Sequence, residues 1–90
     1  MEEKFLAAVE IARQQAAALG VRIRPVADMK AAHRVLSGSR ESDGFYQLAD
    51  KGRLDLSLEA LAVKKQFTSL FTDEEANVAL DRLLAAGYYQ

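Results

Sequence analysis

Cysteine is absent from this sequence, which excludes disulfides and thiolate chemistry and leaves the core to hold without covalent staples. Pro25 is the single proline and glycine occurs five times, so long stretches run without backbone punctuation. Tryptophan is missing and aromatics make up only 8% of the residues. The apolar half of the chain is rich instead in alanine and leucine, the residues for which a helix costs least side-chain freedom. No apolar run approaches the roughly 18 residues needed to span a bilayer. Met1-Glu2-Glu3-Lys4 has the wrong charge for a secretory leader, and no small-residue cleavage site follows an apolar stretch. These absences predict a cytoplasmic protein without membrane contact, folded as a single helical domain over residues 1–90.

Charge is nearly balanced, at −1 overall, but unevenly spread. Residues 22–40 hold Arg22, Arg24, Lys30, Arg34 and Arg40 against Asp28 alone, whereas residues 41–60 hold Glu41, Asp43, Asp50, Asp55 and Glu59 against Lys51 and Arg53. Pairing between the two neighbouring segments is the favoured reading, because a near-neutral chain is unlike most nucleic-acid binders. The alternative is a basic face for an anionic partner.

Apolar spacing predicts the elements. Phe5, Val9, Ala12, Ala16 and Leu19 fall on one stripe of a helix over Glu2–Leu19, widened by Leu6 and Ile11 and ended by Gly20. Val21 to Val26 alternates apolar and basic residues around Pro25, the pattern of a short extended segment or connector, with pairing between two copies as a further option. Asp28 is the expected cap of a second helix reaching Leu36 or Ser37, its inner face formed by Met29, Ala32, Val35 and Leu36. The polar stretch Ser37–Asp43 reads as a flexible loop. Asp43 is then expected to cap a short helix that carries Phe45, Leu48 and Ala49 inward and stops at Gly52. Ser57 or Asp55 caps the next helix, with Leu58, Leu61 and Ala62 on its apolar side, and Phe67, Leu70 and Phe71 cluster at a turn. Thr72-Asp73-Glu74-Glu75 is a capping box that opens the last helix. That helix is expected to turn Ala76, Ala79, Leu80, Leu83 and Leu84 inward and to end at Gly87. The fold class is therefore all-α, a compact bundle of four to five short helices with one short extended segment near residues 21–26.

Catalytic and metal constellations find little support. His33 is the only histidine, so a triad or zinc site lacks its companions. The carboxylates of Glu2-Glu3 and Asp73–Glu75 are adjacent in sequence, and capping explains the second group. Ser37-Gly38-Ser39 lacks the glycine pattern and lysine of a phosphate loop. The loop at Asp43-Gly44 fails the calcium-loop template, because Phe45, Gln47 and Ala49 follow where ligands are needed. No cofactor, no metal and no enzymatic activity are expected. Tyr46, Tyr88 and Tyr89 are candidate partner contacts, since tyrosine combines ring burial with a polar tip; packing onto the domain's own core is the equal alternative.

The final third carries one resemblance. Ser57-Leu58-Glu59-Ala60-Leu61-Ala62, the turn from Phe67 to Thr72, and the ending Leu80, Leu83, Leu84, Gly87, Tyr88 resemble a winged helix-turn-helix module. The resemblance implies a positioning helix, a turn and a last helix that enters the DNA major groove, with Gly87-Tyr88 leading into a wing. Two features depart from it. The helix that would read DNA opens on Asp73-Glu74-Glu75, which repels phosphates, and the sequence ends at Gln90 without a two-stranded wing. With those departures it implies a relative that has kept a protein-interaction role. The expected function is thus a small non-catalytic interaction or accessory module, binding a protein partner or a second copy of itself. Its partner-binding candidates are Arg22, Arg24, Lys30, Arg34, Arg40, Tyr46, Tyr88 and Tyr89. A winged-helix-like or basic-patch nucleic-acid-binding regulator is the alternative.

Overall fold

The alanine- and leucine-rich segments fold into α1 (Glu2–Ala18), α2 (Met29–Ser37), α3 (Phe45–Asp50), α4 (Leu58–Ala62) and α5 (Asp73–Ala85). Single 3-10 turns at Leu54–Leu56 and Thr68–Leu70 separate the later helices. The computed structural model describes residues 1–88, and no strand forms among them. The expected all-α bundle is the fold observed. No helix among the described residues is long and apolar enough to cross a membrane.

Local signals account for most helix boundaries. The Asp28 carboxylate accepts from the Ala31 backbone N–H at 2.9 Å and starts α2. Ser57, rather than Asp55, caps α4 by accepting from Ala60 N–H at 3.1 Å; Asp55 is held by Arg53 instead. The Thr72–Glu75 capping box closes in both directions, at 3.1 and 2.8 Å. Helices α1, α3 and α5 share one ending, in which the N–H of a residue just past the helix returns to a carbonyl five residues back. The pairs are Val21 to Ala16, Arg53 to Leu48 and Tyr88 to Leu83.

Helix α5 packs on α2 and α4, while α1 lies against α4 and the Leu54–Leu56 turn. The α1 stripe is buried at Phe5, Val9, Ala12 and Ala16, but Ile11, expected to widen it, points to solvent with 56% exposure. A second correction falls on α5, where Leu80 and Leu84 are exposed rather than inward. Ala79 and Leu83 are buried as expected, and Glu75 joins them on the buried stripe. Glu75 and Arg82 share this inward side, Glu75 with His33 and Thr72 and Arg82 with Glu59 and the carbonyls of Val35 and Gly38.

Asp43 does not cap α3. Gly44 holds that position with φ +73°, in the left-handed region. A Cβ there would lie 2.7 Å from Val21 Cγ1 and 3.2 Å from Ile23 Cγ1, so this glycine lets the loop lie directly on the 21–27 connector. Gly52 has a similar φ of +69° with nothing within 4 Å of a Cβ. Gly44→Ala is therefore expected to cost about 2–4 kcal/mol, from the left-handed strain together with overpacking. Gly52→Ala is expected to lose only the strain component, about 1–2 kcal/mol. Urea denaturation of the two variants checks this, and equal losses would contradict the close approach at Gly44.

Candidate functional site

Where the loop after α2 meets the 21–27 connector, the surface opens into a groove of about 740 Å³. Its floor combines the buried Val9, Leu56, Leu58 and Leu61 with the half-buried Ile23, Val26 and Val35. The alternation read from Val21 to Arg24 is seen here directly: Val21 is buried and Ile23 half-buried, while Arg22 and Arg24 stand in solvent. Beyond Val21, the peptide groups of residues 22–27 make no backbone–backbone hydrogen bond among the described residues.

The far wall is the polar stretch expected to be a flexible loop. It is tied down at three points. Glu59 on α4 has no exposed surface and accepts from the Ser42 backbone N–H at 2.8 Å and the Ser42 hydroxyl at 2.5 Å. Arg82 on α5 pairs with the same carboxylate at 3.1 Å and donates to the carbonyls of Val35 and Gly38 at 3.2 and 2.9 Å. Arg24 reaches across the groove mouth to Asp43 at 2.8 and 3.1 Å. Its guanidinium holds the Asp43 carboxyl below the ordinary carboxylate range. A buried charge persists only when paired and hydrogen-bonded, and Glu59 meets that condition by recruiting a loop and a second helix.

The basic residues divide by position. Arg24, Arg34 and Arg40 line the groove. Arg22 lies over an adjoining shallow depression shared with Arg13 and Arg24, and Lys30 is exposed on α2 outside the groove lining. Arg24 alone of the five finds an acidic partner among the described residues; Arg22, Lys30, Arg34 and Arg40 form no ion pair there. The expected pairing between the two segments is seen at Arg24–Asp43 and does not extend to the other four cations, because Asp55 and Glu59 are committed to Arg53 and Arg82.

The tyrosines are elsewhere. Tyr46 is exposed on α3, packs edge-on against Phe45 and donates its hydroxyl to Glu41 at 2.8 Å. The Glu41 carboxyl is held below its ordinary value first by its own backbone N–H and then by that hydroxyl. Tyr88 lies past α5, away from the groove lining, and Tyr89 falls outside the described residues. His33 sits at the α2–α5 contact, with its ring edge-on to Phe71 at 5.3 Å between centroids and Nδ1 2.8 Å from Glu75 Oε2. Burial pushes the Glu75 carboxyl up, but the Thr72 backbone N–H and the His33 ring outweigh it and leave the group below its usual value. The contact joins α2 to the first turn of α5, with the imidazole tautomer setting which atom donates. Among the described residues no group of three or more His, Asp or Glu side chains is placed to hold a metal ion.

Sequence reasoning missed Arg13, which lines the groove from α1 while bound to Glu10, and the Ser42–Glu59–Arg82 network. One signal for the network is present: Glu59 is the lone charge in Leu56–Ala62, a run in which Ser57 is the one other polar residue. Comparison with protein-family models, curated proteins and solved structures finds no match for this chain.

Proposed function

We propose that the chain is a non-catalytic interaction module that docks a partner protein in the groove between the 21–27 connector, α2 and the loop at 38–44. The carrying observation is that, among the described residues, Arg34 and Arg40 stand without acidic partners around a groove floored by half-buried Ile23, Val26 and Val35. Apolar concavities with a few polar groups around them are the usual form of a binding site. The wall is braced by Glu59 and Arg82, so little ordering has to accompany docking.

Selection of twelve-residue peptides from a random library, followed by amide chemical-shift mapping, tests this reading. Saturable binders are expected to shift Ile23, Val26, Ala31 and Val35. Binders that map to the outer face of α5, or no binders at all, would contradict it.

A nucleic-acid-binding regulator is the second reading, favoured by Arg22, Lys30, Arg34 and Arg40, which form no ion pair among the described residues. Glu41 and Asp43 beside the groove oppose a polyanion. The acidic opening of α5 likewise opposes the DNA contact implied by the winged-helix resemblance.

A further inference from the structure

We infer, building on the groove reading, that the partner segment is an acidic peptide with apolar anchors, its carboxylates meeting Arg34 and Arg40 and its apolar side chains entering over Ile23, Val26 and Val35. Four arginines and two carboxylates line the groove. Arg13 is committed to Glu10 and Arg24 to Asp43, and Glu41 holds the Tyr46 hydroxyl. Among the described residues the charges left without an opposite charge are those of Arg34 and Arg40, both exposed, and of Glu41, whose bond is to a neutral hydroxyl, so the groove keeps a positive surplus. Guanidinium groups of this kind bind carboxylates through paired, directional hydrogen bonds.

The floor decides between a peptide and a nucleic acid. Half-buried valine and isoleucine side chains gain from covering by apolar groups, and a phosphodiester backbone supplies none. Glu41 and Asp43 stand where a continuous polyanion would pass, whereas a peptide can space its carboxylates to avoid them. The connector adds a third element. Ile23, Arg24, Pro25 and Val26 line the groove, and apart from Arg24 N–H, taken by Asp43 at 3.3 Å, the N–H groups of Ile23 and Val26 and the carbonyls of all four show no partner among the described residues. A bound segment can therefore hydrogen-bond along this backbone as an added strand does.

A fluorescein-labelled dodecapeptide of alternating leucine and glutamate is the probe, compared with a leucine–lysine peptide, a serine–glutamate peptide and a twenty-nucleotide DNA as duplex and single strand. The leucine–glutamate peptide is expected to bind saturably and to shift the amides of Ile23, Val26 and Val35. Joint Arg34→Glu and Arg40→Glu replacement is expected to weaken it on the order of tenfold without moving the melting temperature. Lys65→Glu, outside the groove lining, should leave binding unchanged. The leucine–lysine peptide should gain affinity for the charge-reversed variant. Equal binding of the leucine–lysine peptide, the serine–glutamate peptide or the DNA to the unaltered chain would overturn the acidic-peptide assignment while leaving the groove reading intact. If no peptide of any charge shifts the groove amides, the groove reading itself falls.

Discussion

Glu59→Ala is expected to destabilise the fold by about 3–5 kcal/mol, the cost of removing one partner of a buried ion pair and leaving the other charged. Two properties place the effect at that level. Glu59 is wholly buried, and the Arg82 side chain with which it pairs is only 9% exposed. The carboxylate also accepts both donors of Ser42, so its loss leaves a backbone N–H and a hydroxyl without their partner as well. Small domains hold only about 5–15 kcal/mol in total, so the melting temperature should fall by more than roughly 10 °C. Joint replacement of Glu59 and Arg82 by methionine is expected to recover most of that loss, since buried ion pairs often exchange for apolar pairs at little net cost. Thermal denaturation followed by circular dichroism reads both results. A Glu59→Ala loss below about 1 kcal/mol would show that water already reaches the pair, as at a surface bridge.

Phe5→Ala is expected to cost about 3–5 kcal/mol through the cavity left in the core. Phe5 has no exposed surface, and its ring meets Phe67 and Phe71 edge-on at centroid distances of 5.2 and 5.1 Å. Phe71 in turn contacts His33, so this one side chain ties α1 to the turn ahead of α5 and, through His33, to α2. Phe5→Leu should lose much less, because most of the volume is kept. Urea denaturation gives the comparison through the midpoint and slope. Near-equal losses for the two variants would mean that ring-edge geometry, rather than filled volume, dominates at this position.

The parts of the fold readable from sequence are those decided within one turn of chain. The Thr72–Glu75 box, the Asp28 cap and the glycine after α1 each depend on residues three or four positions apart, so spacing alone reveals them. Errors arise where a distant residue competes for a local role. Asp43 has the chemistry of a cap, but Arg24, nineteen positions earlier, holds its carboxylate, and Gly44 takes the cap position. Leu80 and Leu84 fit an apolar stripe equally well until Glu59 and His33 draw Arg82 and Glu75 inward. Apolar periodicity counts charged residues as outward, so on a helix that turns two of them inward Ala79 and Leu83 are placed correctly while the inward face is drawn too far toward Leu80 and Leu84.

The candidate site was legible in the same partial way. Arg24, Arg34 and Arg40 stand out as charge, and Ile23 and Val26 as the apolar half of an alternation. Their meeting around one groove depends on Glu59 and Arg82 fixing the loop between them. That is a tertiary fact: Arg82 stands more than forty residues from Val35 and Gly38, beyond the reach of composition, which reads the stretch as a flexible loop.

The central claim is that this loop is part of the core's framework, and that the groove exists before any partner arrives. Native-state hydrogen exchange at the Ser42 amide tests it most directly, because that N–H donates to a fully buried carboxylate. The predicted result is protection on the order of 10³-fold or more, approaching that of global unfolding, and lost in Glu59→Ala. Exchange of Ser42 at the rate of an open loop in the unaltered chain would contradict the account.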